Sequence, residues 1–211
     1  MRSNLAHWKQ LQREGYFENH KVYGGLKDFG ADEAVNCIQQ FRPLTPESGV
    51  VVIGCGYGRE SLGLAKQVRH VWGIDVSDLI LEKAVKFLDE RGVTNFTPVL
   101  AENYRTAIPE GVDVVFSIVV MQHLTRDLVN DYIASLARKL VPGGGFVLQF
   151  IESLINAQID VDLGKVHEPS VSWSVKDLHK LAQNAALEFV EVRTIEAHAT
   201  CLWHWAYFKR R

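Results

Sequence analysis

Three glycines alternate at positions 54, 56 and 58, directly after the apolar run Val50–Ile53. Glycine permits a tight turn and allows a ligand to approach the backbone closely. The helix predicted to follow would add free N–H groups and the positive end of its dipole, which suit a carboxylate or a phosphate. The pattern therefore indicates a ligand-binding loop, and the alternative is a structural turn without a ligand.

An acidic residue, Asp75, ends the second predicted strand at the spacing where a carboxylate would accept hydrogen bonds from a ribose diol. The spacing also narrows the ligand, since Arg59 stands where a dinucleotide loop requires its third glycine. No Gly-Lys-Ser/Thr sequence follows the glycines, which excludes a phosphate-binding P-loop. The sequence thus predicts a ribose-containing ligand of another kind.

Short apolar runs and amphipathic stretches alternate along the chain and would position these residues. This rhythm predicts an α/β fold, in which a parallel sheet is covered by helices on both faces. The predicted strands span residues 50–53, 71–74, 96–100, 112–118, 146–150, 189–195 and 203–208, and the predicted helices span 32–41, 60–68, 78–91, 126–140 and 174–186.

Five stretches, in this order on the predicted elements, resemble the motifs of the class I S-adenosylmethionine-dependent methyltransferases. They are Ile53–Gly58, Gly73–Ser77, Glu102–Asn103, Asp113–Leu124 and Leu140–Gly144. The resemblance implies a Rossmann-like, doubly wound sheet of seven strands in the order 3-2-1-4-5-7-6, with strand 7 antiparallel. It also implies a single domain over residues 1–211, made of an N-terminal helical cap (1–45), a cofactor-binding core (48–150) and a substrate-covering insertion (151–173).

The same resemblance implies S-adenosylmethionine as cofactor and S-adenosylhomocysteine as product. By this resemblance the glycine loop would hold the methionine end of the cofactor, and Asp75 would hold the ribose. The other implied residues would contact the adenine or the methionine chain. The implied cofactor-binding residues are Gly54, Cys55, Gly56, Gly58, Asp75, Val76, Glu102, Asn103, Ile118 and Val119. One position departs from the pattern, because many relatives carry an acid two residues before the first glycine and this chain has Val52.

Several side chains are candidates for catalysis or for holding the methyl acceptor. An oxygen or nitrogen nucleophile can require a base within hydrogen-bond reach. The predicted catalytic residues are His123, after the fourth strand, with His20 and Tyr23 in the cap; the predicted substrate-binding residues are His167 in the insertion and His204 in the last strand. The alternatives are a loop or capping histidine at 123, aromatic packing in the cap, a solvated loop at 167 and a core position at 204.

Charge and composition restrict the class of acceptor. The net charge is −2, the pI is near 6.4, and the one basic tract is Lys209–Arg211, which disfavours a nucleic-acid partner. The chain has no apolar run long enough to span a membrane, and three scattered cysteines predict a reducing, cytoplasmic setting without a metal site.

We therefore expect a methyltransferase that acts on an oxygen or nitrogen of a small-molecule metabolite. An RNA or protein methyltransferase, and a non-catalytic S-adenosylmethionine-binding partner subunit, remain the alternatives. The oligomeric state is left open by the sequence.

Overall fold

One seven-stranded sheet organises the protein in a computed structural model that describes residues 4–19, 27–28, 30–154 and 171–211. The strand order is β3-β2-β1-β4-β5-β7-β6, as predicted. The first five strands run parallel, and β7 lies antiparallel between β5 and β6. The strands are β1 (Gly49–Ile53), β2 (His70–Asp75), β3 (Phe96–Leu100), β4 (Val112–Ser117), β5 (Leu140–Ser153), β6 (Glu188–His198) and β7 (Cys201–Lys209).

Helices cover both faces of this sheet. In the described part of the chain they are α1 (Asn4–Arg13), α2 (Tyr16–Asn19), α3 (Glu33–Gln39), α4 (Arg59–Ala65), α5 (Asp78–Asp89), α6 (Tyr104–Ala107), α7 (Arg126–Ala137) and α8 (Val175–Asn184), with a 3₁₀ turn at Met121–His123. None of these described helices is both long enough and apolar enough to cross a lipid bilayer.

Strand β1 shows why the sheet must be covered on both sides. All five of its residues are buried, as expected for a central parallel strand. Val51 and Ile53 belong to the cluster that contains α7 and α8, whereas Val50 and Val52 pack with residues of α3 and α4. Alternate side chains therefore anchor the strand in two separate hydrophobic layers.

The N-terminal end of β1, at Gly49, is held by the side chain of Asp113 on β4. The Gly49 N–H donates to Asp113 Oδ2 at 2.8 Å, and Arg42 Nη1 donates to the Asp113 carbonyl oxygen at 2.9 Å. Asp113 thus links the segment after α3 to the sheet.

Strand β5 differs most from the sequence-based prediction. It starts at Leu140 rather than 146, and α7 ends at Ala137 rather than 140. The Gly143 N–H donates to the Arg210 carbonyl oxygen at 2.9 Å, and the Arg210 N–H donates to the Gly144 carbonyl oxygen at 2.8 Å. Pairing with the end of the chain therefore extends the strand through a segment whose Pro and Gly content predicted a turn.

The start of α8 agrees closely with the prediction. Ser174 Oγ accepts the Asp177 N–H at 3.2 Å, and Asp177 Oδ2 accepts the Ser174 N–H at 3.0 Å. This reciprocal capping box satisfies two backbone donors that a helix start would otherwise leave open.

Gly63, inside α4, provides a test of how tightly the cap segment packs on the core. A Cβ atom at this position would lie 2.1 Å from the Ala31 carbonyl oxygen. Helix propensity alone would make Gly63→Ala stabilising by about 1 kcal/mol. We expect the opposite, a loss of about 1–3 kcal/mol in the free energy of unfolding, because backbone must move to admit the methyl group.

Urea denaturation of the variant measures this change, and Ala65→Gly in the same helix is the control, which should cost about 1 kcal/mol through propensity. A Gly63→Ala protein more stable than the wild type would contradict the close packing of α4 against Ala31.

Candidate active site

The loop between β1 and α4 requires glycine for two reasons: its backbone has positive φ angles, and neighbouring side chains leave no room for a Cβ atom. Gly54 has φ +69°, and a Cβ there would lie 2.3 Å from Val120 Cγ2. Gly56 has φ +53°, and a Cβ there would lie 3.0 Å from Phe17 Cζ. Any larger residue would be strained and would push away either the turn after β4 or the cap.

The loop is also tied to the end of β2. The N–H groups of Gly54 and Cys55 both donate to the Ile74 carbonyl oxygen, at 2.8 and 3.0 Å. The third glycine, Gly58, has φ +94° and caps α4, where a Cβ would lie 3.1 Å from Leu88 Cδ1. The loop geometry therefore depends on both strands and on α5.

Asp75 is the acid at the centre of the site, and its carboxylate accepts four hydrogen bonds. Oδ2 accepts the Gly56 N–H at 3.0 Å, and Oδ1 accepts the Val76 N–H at 2.7 Å and the Ser77 N–H at 3.3 Å. The fourth donor is Gln12 Nε2 on the cap, 3.2 Å from Oδ1. Burial raises the pKa of the Asp75 carboxyl above its ordinary value, and the four hydrogen bonds lower it only in part.

A cavity of about 300 Å³ lies beside this carboxylate. Its floor consists of the ends of β1, β2 and β4, and its cover consists of α1 and α2. Of the predicted cofactor-binding and catalytic residues, the lining includes Gly54, Cys55, Gly56, Asp75, Val76, Ile118, Val119 and His123. The carboxyl ends of neighbouring parallel strands are where open α/β sheets bind ligands.

Helix α1 closes the cavity with one of its faces. Leu5, Trp8 and Gln12 are spaced three and four residues apart, so they lie on the same side of the helix, and all three line the cavity. Tyr16 and Phe17 of α2 complete the cover. The sequence showed an aromatic-rich N-terminal segment, but only this helical spacing could have singled out Gln12.

His123 lies in the 3₁₀ turn after β4 and is 5% exposed. The Trp8 and His123 rings meet edge to face with their centroids 4.6 Å apart. The cap therefore contacts the predicted catalytic histidine directly, within the same cavity.

The turn that leads to His123 contains a strained residue. Val119 has φ +56°, a conformation that a β-branched residue rarely adopts. Its N–H donates to Oε1 of the fully buried Gln149 at 2.8 Å, which holds the turn in place. Strain of this kind concentrates at functional sites, where the surrounding structure enforces it.

An ion pair that sequence reasoning did not single out also lines the cavity. Arg59 Nε donates to Glu60 Oε1 at 2.8 Å, and the two side chains are 11% and 10% exposed. Arg59 had served only to exclude a dinucleotide loop. Two charges directly after the glycines were the available signal.

Gly58, at the start of α4, does not line the cavity, although it belongs to the same loop. Glu102 and Asn103 are exposed at the end of β3 and do not line the cavity, and the Asn103 N–H donates to the Leu100 carbonyl oxygen at 2.8 Å. This N–H is therefore not open to an adenine nitrogen in this arrangement.

His204 is 1% exposed and does not line the cavity either. Its ring nitrogens lie 2.9 Å from Thr194 Oγ1 and 2.8 Å from Glu152 Oε2, so it joins β5, β6 and β7 and the structure gives it no access to substrate. His20, Tyr23 and His167 fall outside the described residues.

Comparison with known proteins agrees with this geometry. A methyltransferase domain family model matches residues 50–144. The ubiquinone biosynthesis O-methyltransferase of Cupriavidus pinatubonensis is 28% identical over 155 residues, which cover 68% of this chain and 61% of that protein. The chain thus spans less than two thirds of the length of this relative.

Solved structures share the fold along nearly the whole chain. Magnesium protoporphyrin IX methyltransferase from Synechocystis PCC 6803, with bound SAH (S-adenosylhomocysteine), has a TM-score of 0.73 at 16% identity and covers 99% of this chain and 100% of that one. Geranyl diphosphate C-methyltransferase from Streptomyces coelicolor A3(2) has a TM-score of 0.72 at 12% identity, with 92% and 85% covered.

The sheet order, the glycine loop and the carboxylate at the end of β2 are those of a Rossmann-like domain, and residues 50–144 match a methyltransferase domain model. In its strand order, and over residues 50–144, the chain resembles the class I S-adenosylmethionine-dependent methyltransferases. The glycine-lined cavity beside a buried carboxylate fits a ligand with a ribose diol.

Replacement of Asp75 tests the ribose contact. We expect Asp75→Ala to weaken S-adenosylhomocysteine binding at least tenfold, because hydrogen bonds to a charged group contribute about 1.5–3 kcal/mol. Isothermal titration calorimetry measures the affinity, and Asp78→Ala, at an exposed carboxylate three residues away, is the control that should bind normally. Equal affinity in Asp75→Ala and the wild type would contradict the assignment.

The raised pKa of Asp75 predicts a pH dependence of cofactor binding. The ionised carboxylate is a stronger acceptor for a ribose hydroxyl than the protonated form, in which one oxygen carries a proton and becomes a donor. As the pH falls, S-adenosylhomocysteine affinity should therefore decline at a pH above about 3.9, the ordinary pKa of an aspartate.

Calorimetry across this pH range tests the dependence, and Asp75→Asn should bind weakly at every pH without the decline. Wild-type affinity that stays constant down to the ordinary aspartate pKa would show that the titration of Asp75 does not control binding.

Proposed function

We propose that this protein transfers a methyl group from S-adenosylmethionine to an oxygen or nitrogen of a small molecule. The proposal rests on the hydrogen bond from the Gly56 N–H of the glycine loop to Asp75. This bond lies beside a cavity that His123 also lines. The predicted cofactor-holding groups and a histidine side chain thus line one cavity, which the cap covers on one side.

The adenosine half of the cofactor would lie over the ends of β2 and β3. Asp75 would accept hydrogen bonds from the ribose, and Val76 would pack on the adenine from the cavity wall. Glu102, exposed at the end of β3, would accept from the adenine amino group. The contact of Asn103 with the adenine ring would require its N–H to leave Leu100.

The methionine half would meet the glycine loop and the buried ion pair. Its ends are an ammonium and a carboxylate, and Glu60 and Arg59 offer the complementary charges at the start of α4. We propose that Glu60 supplies the acid that Val52 does not. Ile118 and Val119 would pack beside the methionine chain from the strained turn.

The bound cofactor supplies a methyl group on a positively charged sulfur, and transfer of that group leaves S-adenosylhomocysteine. The protein must then align the nucleophile and limit the access of water, and α1 and α2 would contribute by covering one side of the cavity. His123 would accept the proton that an oxygen or nitrogen nucleophile releases. His20 and Tyr23 in the cap remain further candidates for this role.

The acceptor is proposed to be a mainly apolar molecule. Leu5, Trp8, Val120 and Leu124 line the cavity around His123 and would pack against apolar groups. The relatives carry names of small apolar or ring-containing compounds: ubiquinone biosynthesis, magnesium protoporphyrin IX and geranyl diphosphate. The last of these is a C-methyltransferase, so a carbon acceptor is the alternative outcome. His167 remains a proposed substrate-binding residue.

Two measurements test the proposal. Calorimetry should detect binding of S-adenosylhomocysteine to the purified protein, and radiolabelled S-adenosylmethionine should transfer its methyl group to members of a panel of phenols, amines and isoprenoids. An absence of cofactor binding would refute the proposal, and methylation of RNA or protein in preference to the panel would refute the small-molecule acceptor.

Replacement of His123 tests the proposed base. With an acceptor in hand, His123→Asn should lower kcat by about 10²–10⁴-fold, the usual contribution of a general base, while S-adenosylhomocysteine affinity stays near the wild-type value. His179→Asn, at an exposed histidine on α8 that does not line the cavity, is the control. An unchanged kcat would assign His123 to packing against Trp8.

A further inference from the structure

Gln12 makes an unusual contact for a residue of the cap. It is 4% exposed, and its Nε2 donates to Asp75 Oδ1 from 63 positions away in the chain. Its Oε1 is buried and has no hydrogen-bond partner among the described residues. A buried amide oxygen without a partner costs free energy, and a bound ligand that donates a hydrogen bond to it would remove that cost.

The carboxylate of Asp75 cannot keep all its present partners when a ribose binds. A carboxylate offers about four lone-pair positions, two on each oxygen; Oδ1 of Asp75 already accepts three donors, one of them Gln12, and Oδ2 accepts one. A diol brings two further O–H donors. Three of the present donors are backbone N–H groups fixed by the loop and by the end of β2, so the side chain of Gln12 is the donor that can turn away.

A glutamine amide is suited to this exchange because it carries a donor and an acceptor on one carbon. Once it has turned from Asp75, Nε2 can donate to a ribose oxygen, and Oε1 can accept the hydrogen of the neighbouring hydroxyl. Helix α1 would then stay in place over the cavity, since the polar contact of Gln12 moves from Asp75 to the ligand.

We propose that Gln12 is a ribose-binding residue carried by the cap, which exchanges its bond to Asp75 for bonds to the cofactor hydroxyls. The inference rests on the proposed binding of S-adenosylmethionine and goes beyond it by making α1 part of the cofactor site. In the free protein Gln12 donates to Asp75 in the place of a ribose hydroxyl. In the complex its bonds to the ribose would hold α1 over the cofactor.

The test is a comparison of two ligands in two proteins. The ligands are S-adenosylhomocysteine and its 2′,3′-dideoxy analogue, which lacks both hydroxyls, and the variant is Gln12→Met, which keeps the length of the side chain. The variant should bind S-adenosylhomocysteine about three- to tenfold more weakly than the wild type does. For the dideoxy analogue, the variant and the wild type should have the same affinity. The preference for the diol should therefore shrink by the same factor.

Gln10→Met is the matched control on the same helix. Gln10 is exposed, and its Nε2 donates to Glu14 at 2.7 Å, so its replacement should change neither affinity. If Gln12→Met fails to fold, as judged by circular dichroism, Gln12→Leu serves in its place, and the ratio of the two affinities within one protein cancels general effects on stability.

The outcomes separate this inference from the proposed function. One outcome would overturn the role of Gln12 alone: the wild type binds S-adenosylhomocysteine, and the Gln12 variant prefers it over the dideoxy analogue by the same factor as the wild type does. Equal weakening of both ligands in the variant counts as this outcome, and the proposed function would stand. A wild-type protein that binds neither ligand would overturn both.

Discussion

The hydrogen bond from the Gly56 N–H to Asp75 is the interaction on which the rest of the site depends. It joins the loop after β1 to the end of β2, and the Ile74 carbonyl oxygen reinforces the connection by accepting two further N–H groups. Asp75 is buried and charged, so the folded protein must surround it with donors. The loop, the start of α5 and the cap all converge on this one carboxylate, which sets the position of the cavity.

The two sides of the cavity follow from steric contact with the same loop. Gly54 admits Val120 from the turn after β4, and Gly56 admits Phe17 from the cap. The absence of side chains at these positions therefore brings three separate segments into contact. It also explains why the loop can be recognised from the sequence, since few other residues tolerate both the positive φ and the close approach.

The core of the fold and half of the site could be predicted because their signals are local. Buried parallel strands, alternating glycines and the acid after β2 each leave a pattern that short sequence windows reveal, and the structure puts eight of the predicted residues around one cavity. The extent of β5 could not be predicted, because pairing with Arg210 overrides the turn preference of Pro142 and its glycines.

The remaining features depend on contacts between distant residues. Gln12 is an ordinary polar residue of an amphipathic helix until the fold brings it to Asp75. His204 lies in a strand whose alternation was clear, yet its two polar neighbours come from other strands and were invisible in the sequence.

Val119 carries a cost that the free protein must bear whether or not a ligand is bound. A branched side chain in a left-handed conformation costs about 1–3 kcal/mol, which is a sizeable fraction of the stability of a typical domain. The buried Gln149 amide offsets part of that cost through a single hydrogen bond. Selection for thermal robustness alone would favour glycine here, so the persistence of valine would reflect a trade-off in which the shape of the cavity wall counts for more than resistance to unfolding.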